Sequence, residues 1–454
     1  MAAVEARFIK VVVLGAGQDV GRSCILVSFC GRKVLLDCGM HLGFRDERRF
    51  PDFRYISRAG RFNEAIDCVI VTHFHLDHSA ALPHLTEICG YSGPIYMTHP
   101  TKAITPILLH DYRKIMAERK GVAEFYSADD IDACMRKVTA VSLLETVHVD
   151  DELTITAHYA GHVLGAAMFS IAVGDVRVFY TGDFNMTADR HLGAARVPVG
   201  LRPHLVISES TYGTTLRDTK CSRERHFLEL VHSTVRRGGR VLIPVFAVGR
   251  AQELMILLET YWARMGVQAP IYFSAGMVQR ASLYYELYAR WGSEHPRVRA
   301  GLRANPFEFR RIEEIDRAAV ASVGPCVLFA TPGMLDSGAS LDALKCWAGD
   351  ARNLVVLPTH CVTGTVGHTL LSGKKTLTLD GGKTVLDVRC SVSLASFSAH
   401  ADAKGIFTML RQLQPKHALL VHGDKGTMQE LRARISHELD IPCYCPQNGA
   451  EVTI

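Results

Sequence analysis

The run Thr72-His73-Phe74-His75-Leu76-Asp77-His78 constrains this chain more than any other feature. It puts His73, His75, Asp77 and His78 on one short stretch, directly after the apolar run Cys68-Val69-Ile70-Val71. A short apolar run with polar neighbours predicts a buried strand, so the cluster sits on the loop leaving its C-terminal end. Neutral imidazoles suit zinc, and a carboxylate among them suits a hydrolytic site that keeps one position open for water. A lone histidine is most often packed or solvated. Three of them with an aspartate at this spacing read as metal ligands.

The same habit recurs along the chain. The alternating segment Glu152 to Ala157 leads to Ala160-Gly161-His162, Val176 to Tyr180 ends in Thr181-Gly182-Asp183, and Leu205 to Ser208 ends at Glu209. After a long interruption, Ser398-Ala399-His400 precedes a helical segment, and the strand Ala418 to Val421 delivers His422-Gly423. Strand ends that face one rim build a site, while the strand bodies hold it rigid. Asp37 follows another such strand, Val34-Leu35-Leu36. The early Gly15-Ala16-Gly17-Gln18-Asp19-Val20-Gly21 invites a dinucleotide reading, but a strand follows it instead of a helix, which argues against that site.

Between about Tyr212 and Ser391 the texture changes to alternating helix and strand. Val241 to Phe246 runs into Gly249-Arg250, Val327 to Phe329 into Thr331-Pro332-Gly333, and Leu354 to Leu357 into Thr363-Gly364. That pattern predicts a parallel sheet whose loops share one edge. Glycine loops at helix N-termini present N–H groups to anions, so Arg250, Gly249, Gly333 and Gly364 are candidate phosphate contacts. The arginines between Arg290 and Arg311 add positive charge, or form a solvated face. The economical organisation is one domain over residues 1–211 and 391–454, interrupted by an inserted domain over 212–390.

At 454 residues the chain has room for both. No apolar run reaches the ~18 residues that would span a bilayer, and the start has no apolar signal region, so export and a membrane are not expected. The 13 cysteines are scattered without a C-x-x-C pair, which fits reduced thiols in a cytosolic or nuclear compartment. A net charge of +5 permits a nucleic-acid partner without requiring one.

Taken together, H-x-H-x-D-H, the glycine-flanked His162, Asp183 and His422 resemble the metallo-β-lactamase superfamily. Glu209, Ser-Ala-His400 and Val-His422-Gly look like the further motifs of its β-CASP branch, which contains nucleic-acid processing nucleases. The likeness runs over essentially the whole chain. It implies an α/β fold, a metallo-β-lactamase αββα sandwich interrupted by an inserted parallel-sheet β-CASP domain. It implies two Zn2+ ions, one held by His73, His75 and His162, the other by Asp77, His78 and His422, with Asp183 bridging and Asp37 orienting the ligands. Asp77, Glu209 and His400 take catalytic roles, with His400 as the proton donor to the leaving oxygen and Glu209 holding its tautomer. A histidine at position 422 is the family's mark of RNA-cutting rather than DNA-repair members.

The resemblance therefore implies a zinc-dependent endonuclease of RNA 3′-end processing in the nucleus, acting on single-stranded RNA in a cleft formed with the inserted lobe. Its protein partners would be a catalytically inactive paralogue and other subunits of a processing complex. The insert argues against a small-molecule metallohydrolase on the same ligands. The seven filled ligand positions argue against a non-catalytic scaffold subunit. The family's eukaryotic endonucleases also continue beyond the point where this chain reaches Ile454, and Ser79-Ala80 replaces the glycine-containing sequence common after the first motif.

Overall fold

The computed structural model describes residues 8–44, 46–117, 125–246, 248–274, 283–288, 291, 307, 309–359, 361, 364–379 and 382–454. The chain divides into two units: Met1–Ala188 with Ala194–Leu216 and His400–Ile454, and Asp189–Gly193 with Arg217–Ala399.

The first unit is built on two seven-stranded sheets. One contains β1 (Ile9–Gly15), β2 (Cys24–Phe29), β3 (Arg32–Leu36), β4 (Cys68–Ile70), β5 (Ile95–Thr98) and β6 (Val138–Val141) in that spatial order. The other contains β7 (Thr146–His148), β8 (Leu153–Tyr159), β9 (Ala167–Val173), β10 (Val176–Tyr180) and β11 (Leu205–Glu209). Side chains alternate across a strand, so β1 sends Val11 and Val13 into the core shared by the two sheets, with Ile155, Phe169, Ile171 and Ile207. Val12 and Leu14 face the opposite way, into a core closed by Leu109 and Tyr112 of the helix His99–Ala117 and by Ile131 and Met135 of the helix Ala128–Lys137. Two hydrophobic faces per sheet force helices onto the outside, which gives the expected αββα layering.

The second unit has a six-stranded, all-parallel sheet. Its strands are β12 (Val241–Pro244), β13 (Ile271–Ser274), β14 (Ile312–Ile315), β15 (Val327–Ala330), β16 (Leu354–Leu357) and β19 (Ser391–Leu394), in the order β14-β13-β15-β12-β16-β19. A hairpin, β17 (Thr376–Leu379) and β18 (Thr384–Asp387), stands apart from it. Here the expected boundaries of 212 and 390 need correction. Tyr212 bridges to Asp402 within the first unit, and β19 pairs along β16 beyond residue 390. Asp189–Gly193 also joins the second unit, an excursion too short to carry a hydrophobic pattern.

The last strands return to the first unit. β20 (His417–Val421) pairs in parallel with β11, aligning Val421 with Glu209. β21 (Cys443–Tyr444) follows at that edge, and β22 (Glu451–Thr453) pairs with β1. All 13 cysteines are unpaired thiols. Among the described residues no helix is long and apolar enough to cross a membrane.

Candidate metal centre

Topology explains why ligands so distant in sequence meet. β3 and β4 run in parallel, as do β10, β11 and β20. Parallel neighbours present their C-terminal ends at one edge, so Asp37, His73, Asp183, Glu209 and His422 emerge on one rim of the first unit. The loop bearing the first motif is clamped along its backbone. Ser23, Cys38 and Met40 donate their N–H groups to the carbonyls of Asp77, His78 and Leu76 at 2.7, 2.9 and 2.9 Å. That close approach requires Gly39, because a Cβ added there would stand only 1.7 Å from the Asp77 carbonyl oxygen.

Two clusters form. Nδ1 of His75 lies 3.1 Å from Nε2 of His73 and 3.1 Å from Nε2 of His162, and Oδ2 of Asp183 lies 3.6 Å from each of those Nε2 atoms. Beside them, Nε2 of His78 is 3.4 Å from Asp183 Oδ2 and 3.8 Å from Asp77 Oδ2, which is 3.2 Å from His422 Nε2. Asp183 therefore touches both clusters. Four donors at ~2.0–2.1 Å from a tetrahedral centre lie about 3.4 Å apart, so these spacings fit the edges of metal coordination polyhedra. The Asp183 Oδ1 atom is buried and accepts no hydrogen bond among the described residues, although His422 Nδ1 faces it as an ion pair at 3.6 Å. An orphaned carboxylate oxygen at this depth calls for a cation. The residues fit a metal site.

Electrostatics agree with the donor set. Burial pushes the imidazole of His75 down to about 4 and that of His73 well below its ordinary value. Burial opposes protonation of His422 and His78 as well, but Asp183 and its fellow carboxylates outweigh it, lifting His422 to about 9 and His78 well above its ordinary value. In Asp77 and Asp183 burial works to raise the carboxyl, and the nearby imidazoles hold both below the usual carboxylate range. Burial thus favours neutral imidazoles at His73 and His75, while His78 and His422 face the ionised carboxylates. Metal binding must displace the protons on His78 and His422.

Asp37 anchors this arrangement from behind. Its Oδ1 accepts the Thr72 N–H at 2.7 Å, and its Oδ2 faces His78 Nδ1 at 2.8 Å and accepts the Tyr180 hydroxyl at 2.7 Å. With Nδ1 turned to Asp37, His78 presents Nε2 to the cluster, the usual way a carboxylate orients a metal-binding histidine. The Thr72 hydroxyl donates to Asp37 at 3.0 Å and lies 3.0 Å from His73 Nδ1. Sequence reading missed Thr72 and Tyr180. Their signal was their place, each a polar group near a strand end and within three positions of a ligand.

His400 and Glu209 form a further group with Asp183 and His422. The His400 Nδ1 is 2.7 Å from Glu209 Oε2 and 3.6 Å from Asp183 Oδ2. Glu209, itself buried, also accepts the Phe184 N–H at 2.8 Å and the Thr211 hydroxyl at 2.6 Å. The sequence expectation paired these two residues, and the structure brings them together at the edge of the cluster.

The candidate phosphate contacts fare differently. The three loops do leave adjacent parallel strands, β15, β12 and β16. Yet Arg250 is part-buried against Asp189 in an ion pair, so its charge is already matched. The Gly249 N–H is used by Gln252 Oε1 at 2.8 Å. The helix Val366–Leu371 after Gly364 is capped by Thr365, and Asp336 accepts the Val366 N–H at 3.0 Å, so the protein's own carboxylate fills the place of an anion. Gly333 packs against the Phe246 ring, 3.2 Å from where a Cβ would stand. Of the basic stretch, Arg290, Arg297, Arg299 and Arg303 lie outside the described residues, while the Arg310 and Arg311 N–H groups bond to Glu259.

Sequence comparison places this geometry. Residues 26–207 match the metallo-beta-lactamase superfamily domain, 251–370 the Beta-Casp domain, and 385–446 the Zn-dependent metallo-hydrolase RNA specificity domain. Integrator complex subunit 11 of Gallus gallus is 57% identical over 446 residues, 98% of this chain and 74% of that one. The chain belongs to the metallo-β-lactamase/β-CASP family. Within that family, the cleavage and polyadenylation specificity factor subunit 3-II of Arabidopsis thaliana is 51% identical over 445 residues, 98% of this chain and 72% of that one. A crystal structure of a protein of unknown function from Enterococcus faecalis aligns at a TM-score of 0.58 and 13% identity, covering 98% of this chain and 100% of that one. At that identity it speaks for the fold alone.

Proposed function

We propose that this β-CASP protein is a zinc-dependent endonuclease that hydrolyses phosphodiester bonds of single-stranded RNA, leaving a 3′-hydroxyl and a 5′-phosphate. The observation that carries the reading is the meeting at Asp183 of His73, His75 and His162 on one side and His78 and His422 on the other, with the Glu209–His400 pair against the same carboxylate. His73, His75, His162 and Asp183 would hold one Zn2+, and Asp77, His78, His422 and Asp183 the other. When bound, two such ions neutralise phosphate charge and make water a strong nucleophile at neutral pH. The chain's own residues supply the rest. Glu209 accepts from His400 Nδ1 and so orients the ring, which in its doubly protonated form presents Nε2–H as the proton needed by the leaving oxygen. Asp37 keeps His78 in its binding tautomer.

RNA is favoured over DNA by His422 and by the RNA specificity domain match over 385–446, the segment that bears both His400 and His422. The likeness to Integrator complex subunit 11 supports a place in a nuclear, Integrator-like 3′-end-processing complex, with a catalytically inactive paralogue among its partners. Likeness to the cleavage and polyadenylation factor supports the paralogous assembly as the alternative. Co-purification of the endogenous protein and identification of its partners separates the two.

The activity is tested with the full chain on a fluorescent single-stranded RNA, beside a chromogenic lactam. His400→Ala should lower RNA cleavage at least 100-fold while bound zinc is unchanged, and Glu209→Ala should lower cleavage at least as far. Wild-type cleavage rates in both variants, or turnover of the lactam alone, would defeat the reading.

A further inference from the structure

Thr211 holds a position that the metal and acid assignments leave unexplained. Its Oγ1 lies 2.6 Å from Glu209 Oε2, 2.9 Å from His422 Nδ1 and 3.1 Å from the His422 carbonyl oxygen. It sits 3.4 Å from His400 Nδ1. A threonine hydroxyl has one proton to give and two lone pairs with which to accept. An ionised carboxylate can only accept, and the bond to it is the shortest of the set and charge-assisted, so the proton goes to Glu209. The lone pair left toward His422 then requires a proton on Nδ1. With Nδ1 held by Thr211, and 3.6 Å from Asp183 Oδ1, Nε2 is the nitrogen left to give up its proton to a metal ion; it faces Asp77 Oδ2 at 3.2 Å.

We infer that Thr211 is a positioning residue. It passes the negative charge of Glu209 to His422, fixes the tautomer in which His422 binds metal through Nε2, and thereby ties the second metal position to the same carboxylate that holds His400. The same proton assignment holds across the site, where the Thr72 hydroxyl donates to Asp37 and faces His73 Nδ1. Each cluster thus has one histidine set by a carboxylate–threonine relay, and His73 and His422 both turn Nε2 inward. A threonine next to a ligand-bearing strand end would otherwise be ordinary. Here Ser210, one residue earlier, donates its hydroxyl to the Val421 carbonyl at 2.7 Å and plays no such part.

This inference rests on the two-ion reading above, and its test is chosen to fail separately. Thr211→Val keeps the side-chain shape and removes the hydroxyl, while Thr211→Ser restores it. Metal content of the full-length variants is titrated against a zinc chelator, without RNA. Thr211→Val should lose one of two zinc equivalents at chelator concentrations 10- to 100-fold below those that strip it from the wild type. The other equivalent should stay, and Thr211→Ser should keep both within about threefold of wild type. Equal zinc retention by valine and wild type overturns the relay, as does equal loss in valine and serine variants, which would mean a purely steric role. A wild-type chain that takes up two ions but leaves RNA uncut overturns the nuclease reading and not the relay. A wild-type chain that takes up a single ion overturns the second position and the relay with it.

Discussion

Replacing Asp37 by asparagine removes one charge and almost no volume, so it isolates what this carboxylate does. Asp37 is fully buried, at 0% exposure, and every partner around it is a donor. The Thr72 N–H and hydroxyl converge on Oδ1, while His78 Nδ1 and the Tyr180 hydroxyl converge on Oδ2. An amide has one acceptor oxygen. Turned one way, its NH2 group leaves the Thr72 N–H unpaired; turned the other way, it forces the Tyr180 hydroxyl to accept and His78 to give up the Nδ1 proton. A buried donor left without a partner costs about 1–3 kcal/mol. The loss of orientation at His78 should weaken metal binding 10- to 100-fold, equivalent to about 1.4–2.7 kcal/mol. Urea unfolding of the stripped protein reads the first effect and chelator competition reads the second. An Asp37→Asn chain with the wild-type unfolding midpoint and wild-type zinc affinity would refute the reasoning, because an amide cannot accept the Thr72 N–H and the His78 Nδ1–H at once.

Two further predictions concern the second unit. Arg250→Met should leave the Asp189 carboxylate buried without its partner and destabilise the protein by about 3–5 kcal/mol in urea; unchanged stability with a raised KM for RNA would instead restore Arg250 as a phosphate contact. Burial alone would raise the Glu253 carboxyl, but its hydrogen bond to His191, with Lys220 and Arg250 nearby, outweighs burial and holds it below the usual carboxylate range. The unfolded chain takes up this proton near pH ~4.3, above the folded value, so the stabilisation is complete at higher pH and fades as pH falls below that point. Glu253→Gln should therefore lose stability at neutral pH and show a shallower acid decline in urea midpoints between pH 5 and 3; parallel curves for variant and wild type would remove Glu253 as the cause.

Much of the site was legible because metal chemistry writes itself in residue type and strand periodicity writes itself in spacing. His73, Asp183 and His422 follow largely apolar runs and His162 follows an alternating one, and each segment reads as a strand. Parallel strands then leave little choice about which rim the ligands share. The phosphate loops misled for the opposite reason. A glycine at a helix start looks the same in sequence whether its N–H is open or taken, and the groups that take them are remote in the chain. Asp189 reaches Arg250 across 61 positions, and Asp336 reaches Val366 across 30. Thr211 was invisible for a third reason. Its role depends on where one hydroxyl proton goes among Glu209, His400 and His422, which only their mutual distances decide.

The interruption of the ligand set by a second unit is also less costly than it looks. β11 and β20 are hydrogen-bonded neighbours, Glu209 aligned with Val421, although most of the second unit lies between them in sequence. Closing such a loop as a floppy chain costs entropy that grows only with the logarithm of its length, roughly 0.6 kcal/mol per doubling. The inserted chain does not stay floppy. It buries its own cores, one around Val241, Ile243, Leu258, Trp262 and Phe329 and another around Leu328, Leu344, Trp347 and Leu357. What the first unit must meet is then a fixed pair of ends, not a random coil. The exit from that insert delivers His400 two residues before Asp402, which caps the helix Ala403–Leu413 by accepting the Gly405 N–H at 2.9 Å. A rigid helix start on one side and the Glu209 hydrogen bond on the other hold the imidazole, so the candidate acid can sit at the end of an insertion without inheriting the freedom of a loop.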